Sequence, residues 1–114
     1  MDDPLAVMAV EGAHEKEGYR LGAAVKRAGN QKNWFRIELT VTRPENVTKR
    51  QEVAIVLHPT FPEPVEQTTF QGTVARHELW AYGAFTVVAQ VEGGPQLVLN
   101  LTKIDGAPAE FREN

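Results

Sequence analysis

The side chains best suited to chemistry fall in two short stretches. Leu57-His58-Pro59-Thr60-Phe61-Pro62-Glu63-Pro64 offers an imidazole, a hydroxyl and a phenyl ring, and Trp80-Ala81-Tyr82-Gly83-Ala84-Phe85 adds an indole, a phenol and a glycine. Loops carried on a fixed scaffold hold binding residues out of proportion to their length. Phe61, Trp80 and Tyr82 are therefore the natural walls of an aromatic slot, because ring faces stack well on a planar, neutral group. The competing reading is that Phe61 caps an edge of the core and Tyr82 anchors a turn, since loop aromatics often pack inward.

Catalysis would need a nucleophile with a positioned base, or paired carboxylates in a pocket. Thr60 near His58 is the one candidate pair, and no third, orienting carboxylate stands at a recognisable position, so the chain reads as a non-enzyme. His58 serves equally as a loop brace and as a group aligning the Thr60 hydroxyl. His14 and His77 lack partners at metal-ligand spacing and there is no cysteine, so neither a metal nor a cofactor is expected.

Alternating strands are what must hold these stretches. Phe35, Ile37, Leu39 and Val41 alternate with Trp34, Arg36, Glu38, Thr40 and Thr42, which makes one face apolar and the other wet. Trp34 falls on the less apolar face and reads as a packing residue. Arg43-Pro44-Glu45-Asn46 reads as a turn, after which Val53, Ile55 and Leu57 resume the alternation up to His58. A short strand is expected from Thr68 to Val74 with Phe70 inward, and Arg76-His77-Glu78 reads as a solvated loop, its Glu78 placed to attract a basic peptide. Phe85 to Val91 and Gln96 to Thr102 alternate again, joined by Glu92-Gly93-Gly94-Pro95, where glycines supply the turn and Pro95 needs no ladder donor. Tyr19 to Arg27 is a weaker strand ending at Gly29-Asn30-Gln31, and residues 1–18 read as an N-terminal arm or first strand. About six to eight short strands, with frequent turns and no amphipathic helix, predict an all-β, immunoglobulin-like antiparallel β-sandwich over residues 19–114.

Bulk properties bound the function. At 114 residues the chain is the size of one domain, and such a domain buries roughly two-thirds of its unfolded surface without staples. A formal charge of -3 argues against a direct nucleic-acid partner, because phosphate-backbone binding draws on clustered Lys and Arg. Lys26-Arg27 and Lys49-Arg50 are only pairs, read as solvated positions. No apolar run approaches a membrane helix, and the Met1-Asp2-Asp3-Pro4 start is unlike a signal peptide, so no membrane partner and a cytoplasmic location are expected, whether as a free protein or within a larger multidomain one.

The order Leu57-His58, Thr60, Phe61-Pro62, followed by Tyr82-Gly83-Ala84-Phe85 and preceded by the Trp-led strand Asn33 to Leu39, resembles the YEATS domain family, and within it the prokaryotic-type relatives. The likeness spans roughly Tyr19 to Leu101. It implies an immunoglobulin-like reader of acylated lysine, acetyl or crotonyl, on a protein or peptide partner, nuclear in a eukaryote. By the same resemblance Phe61 and Tyr82 sandwich the flat acyl-amide and Thr60 bonds its amide, with His58 orienting that hydroxyl. Amide N–H groups around Tyr82 and Gly83 hold the acyl oxygen. A further aromatic of the pattern falls near Asn30, and Trp80 is an aromatic that the pattern does not require. The alternative is a protein-interaction or sensor module of a prokaryotic signalling or defence protein, without acyl-lysine specificity, in which an edge strand such as Gln96 to Thr102 pairs with the partner.

Overall fold

Side chains that alternate with a period of two can cover an apolar face only by pairing strands into a sheet and laying that sheet against a second one. The computed structural model describes residues 13–28, 34–59, 61–104, 108 and 111 of the chain. Among these, eight strands follow in order: β1 (Glu15–Lys16), β2 (Tyr19–Arg27), β3 (Phe35–Thr42), β4 (Glu52–Val56), β5 (Val65–Thr69), β6 (Val74–Ala81), β7 (Thr86–Val91) and β8 (Gln96–Asn100). They form two four-stranded sheets, β1-β2-β3-β6 and β5-β4-β7-β8, with antiparallel pairing throughout. This is the expected immunoglobulin-like β-sandwich.

The core lies between the sheets. Phe35, Ile37, Leu39 and Val41 of β3 face Val53 and Ile55 of β4 and Val87, Ala89 and Val91 of β7, and all are essentially without solvent contact. Burying each large side chain of this set stabilises the fold by about 1.5–3 kcal/mol. Phe111 adds an edge-on ring contact to Phe35, with centroids 5.2 Å apart.

Three expectations are corrected. The strand placed at Thr68 to Val74 is two strands: β5 begins earlier, at Val65, and β6 runs from Val74 through Arg76-His77-Glu78, the stretch read as a loop. Phe70, buried as expected, sits between them. The inward positions of β6 are Ala75, His77, Leu79 and Ala81, and two small residues and a half-buried histidine leave almost no apolar signal. The last strand also stops at Asn100 rather than Thr102. There the Asn100 side-chain oxygen accepts hydrogen bonds from the Thr102 N–H and hydroxyl, which starts a 3-10 turn over Leu101–Lys103.

Of the N-terminal arm, only the part from residue 13 is described. It forms β1 in a hairpin with β2, turned by Glu17 (φ 55°) and Gly18 (φ 83°). Positive φ at both positions gives the turn whose twist matches paired strands. Gly18 cannot be replaced freely, since a Cβ there would lie 2.7 Å from the Pro44 ring.

One end of the sandwich is closed by a buried polar knot. Arg43, read as a turn residue, is buried: its Nε donates to the Gly72 carbonyl at 2.9 Å and its Nη1 to the Lys49 carbonyl at 2.7 Å and to Gln51 Oε1 at 3.1 Å. Tyr19 also donates to Gln51 Oε1, and Gln51 Nε2 donates to the Glu92 carbonyl. The guanidinium lies over Phe70, 4.6 Å from its centroid. Charge burial of this kind is tolerable because the polar atoms are satisfied. Strand direction puts both aromatic stretches at the opposite end.

Candidate aromatic groove

Register creates the site. In the β3–β6 ladder Phe35 pairs with Ala81 and Arg36 with Trp80. Phe35 and Ala81 point into the core, so their neighbours Trp34, Trp80 and Tyr82 must point out of the sheet. Trp34 and Tyr82 thereby meet as a tilted ring pair, 4.5 Å between centroids and 57° between planes. Tyr82 remains 64% exposed and Trp80 43%.

The facing wall comes from the loop between β4 and β5. The Leu57 N–H donates to the Pro64 carbonyl at 2.7 Å and the Phe61 N–H to the His58 carbonyl at 3.1 Å, which folds the proline-rich segment back on itself. Phe61 is thereby half-buried, its ring on Phe85 at 5.2 Å and 55°. Between the two walls lies a groove of about 340 Å³ lined by Trp34, Phe61, Pro62, Trp80, Tyr82 and Phe85. That volume is at the lower end of ordinary small-ligand sites, and an apolar lining with few polar groups is typical of them.

Of the residues singled out in the sequence, Phe61, Trp80 and Tyr82 come together in this groove. Trp80 does so from a strand rather than a loop. His58 is buried at the base of the folded loop, where its carbonyl closes the turn, and Gly83 is buried between Tyr82 and Ala84. The Ala84 N–H donates to the Phe111 carbonyl and so belongs to the fold. Thr60 and Asn30 lie outside the described residues. Trp34, read as a packing residue, is a groove wall, and Pro62 and Phe85 complete the lining. Its one sequence signal, a large aromatic just before β3 and in line with the wet face of that strand, does not by itself distinguish a groove wall from a packing residue.

The groove has charged neighbours on both sides of Trp80. A second groove of about 380 Å³ shares Trp34, Phe61 and Trp80 and is edged by Glu63, Glu66, His77 and Glu78. A hydrogen bond to Glu66 and that carboxylate's negative charge raise the Glu63 pKa above its ordinary value. A third depression, of about 480 Å³, is lined by Lys26, Arg27, Ala28, Arg36 and Trp80. Among the described residues, no group of three or more His, Cys, Asp or Glu side chains is arranged to hold a metal ion, and no helix is long and apolar enough to cross a membrane.

Comparison with known proteins gives one assignment. The family model of the prokaryotic YEATS domain matches residues 35–102, more than half of the chain, from the first residue of β3 to the turn after β8. No curated protein and no solved structure matches the chain significantly.

Proposed function

The chain belongs to the prokaryotic YEATS domain family, a family of binding modules rather than enzymes, and from that premise we propose that the groove clasps a flat acyl-amide such as that of an acetylated or crotonylated lysine. Phe61 and the Trp34–Tyr82 pair are its walls, and Thr60 with the amides around Tyr82 and Gly83 are its polar partners. One observation carries the reading: Tyr82 stays mostly exposed yet is held by its tilted ring contact with Trp34 over an apolar groove already open. Keeping the Tyr82 and Trp80 rings exposed forgoes burial energy. A ligand that fills the groove recovers it.

Titrating the protein with acetyl- and crotonyl-lysine peptides, followed by amide NMR shifts, tests the proposal. Saturable shifts at Trp34, Phe61, Tyr82 and Gly83, absent with unmodified lysine peptide, are expected. Unmoved groove signals at millimolar peptide would overturn it.

A second reading is supported by Val65, which stands 54% exposed on β5, one outer strand of its sheet, the other being β8, the edge named from the sequence. Such an edge can add a partner's strand without using the groove. A protein partner retained by both Phe61→Ala and Tyr82→Ala would favour this interaction-module reading.

A further inference from the structure

The outward face of the sheet carries a rung of three residues across adjacent strands: Lys26 on β2 is the direct partner of Arg36 on β3, and Arg36 of Trp80 on β6. Like charges placed directly opposite one another in an antiparallel pair destabilise it. Arg36 is partly offset by Glu78, 3.5 Å away on the next rung. Lys26 makes no ion pair among the described residues. Arg27 borders the same depression but is the register partner of the inward Phe35, and its guanidinium lies toward that ring, 5.8 Å from the centroid. The resulting depression of about 480 Å³ has the outward cations Lys26 and Arg36 and the Trp80 indole on its walls, and it abuts the aromatic groove, because Trp80 lines both.

We propose that this cationic shelf is a second subsite of the groove, selecting peptides that carry carboxylate side chains close to the group held by the aromatic walls. The proposal rests on the acyl-amide reading of the groove. Spacing sets the register of the ligand. Neighbouring strands lie about 4.8 Å apart, so Arg36 stands about 5 Å and Lys26 about 10 Å from Trp80 across the sheet. An extended peptide advances about 3.3–3.6 Å per residue. A glutamate two or three residues from the clasped lysine therefore lands on the shelf. A polyanion such as DNA fits less well, since the chain is net negative and Glu63, Glu66 and Glu78 line the groove on the other side of Trp80.

Three acetyl-lysine peptides decide the matter: one with glutamates two and three residues away on either side, one with serines there, and one with lysines there. Exposed ion pairs are individually weak, so the glutamate peptide is expected to bind about three- to tenfold tighter than the serine peptide by calorimetry, the lysine peptide no tighter than serine. Lys26→Glu should abolish that preference and leave the serine peptide's affinity unchanged. Raising the salt concentration of the unaltered protein should shrink the same preference, a check independent of any variant. Equal binding of the glutamate and serine peptides would overturn the subsite while the acyl-amide reading stands. Failure of all three peptides to bind would overturn both. Tight binding of duplex DNA, lost on Lys26→Glu, would overturn the peptide assignment in favour of a polyanion surface.

Discussion

Trp34 and Tyr82 are distant in the chain, yet their rings stand 4.5 Å apart because the β3–β6 register continues one step past Phe35 and Ala81. Nothing local aligns them. The contact is the product of a ladder of eight residue pairs, Phe35 to Thr42 against Val74 to Ala81, and a slip of β6 by one would send Tyr82 to the other face, away from Trp34.

The two walls of the groove should respond differently to truncation. Tyr82 is exposed, so Tyr82→Ala is expected to change stability by less than about 1 kcal/mol, a usual surface effect, while weakening acyl-lysine binding at least about tenfold, or about 1.4 kcal/mol. Phe61 packs on Phe85 against the core, so Phe61→Ala should weaken binding and also cost about 1–3 kcal/mol of stability, below the range for a fully buried Phe. Urea unfolding of both variants beside peptide titration checks the contrast. Equal stability losses would show that the walls are built alike.

Arg43 anchors the end away from the groove. Arg43→Lys keeps the charge but cannot reach the Gly72 and Lys49 carbonyls and Gln51 Oε1 together. Leaving buried acceptors unmet costs about 1–3 kcal/mol each, so a loss of about 2–4 kcal/mol is expected in chemical denaturation. Peptide affinity of the folded variant should be unchanged, since the knot and the groove lie at opposite ends of the strands.

The Glu63–Glu66 pair gives the loop beside the groove a pH dependence. Glu63 has a raised pKa in the folded chain, so the fold holds that proton to a higher pH than the unfolded chain does. The associated stabilisation is full below the ordinary carboxylate pKa and is lost as pH rises through the raised value. Glu63→Gln removes the repulsion that remains at neutral pH. Its melting temperature should therefore equal or slightly exceed that of the unaltered protein at pH 7, with the difference vanishing near pH 4. A variant less stable at pH 7 would contradict the assigned sign.

How much of this was legible in the sequence depended on whether one face of each element was strongly apolar. β3, β4 and β7 announced themselves, since Phe35 to Val41, Val53 to Ile55 and Val87 to Val91 put apolar residues at every second position. β6 did not: it is an outer strand of its sheet, and its inward Ala75, His77 and Ala81 carry little hydrophobic signal. β5, with the sequence Val-Glu-Gln-Thr-Thr, is an outer strand with no fully buried residue. Phe61, Trp80 and Tyr82 were legible as site residues through their unusual setting and the family likeness. Trp34 was not, because its role comes from a partner that only the register supplies. Arg43 was hidden for a related reason, since the acceptors that make its burial tolerable, the Gly72 and Lys49 carbonyls and Gln51 Oε1, come from separate stretches of chain.

Both tryptophans of the chain, Trp34 and Trp80, stand on the walls of the groove, and the core contains none. The intrinsic indole emission is consequently a property of one end of the molecule. An unfolding curve followed by that emission reports the opening of the groove, while backbone circular dichroism reports the two sheets. The separation between those curves measures how far the binding end loosens before the end knotted around Arg43 gives way.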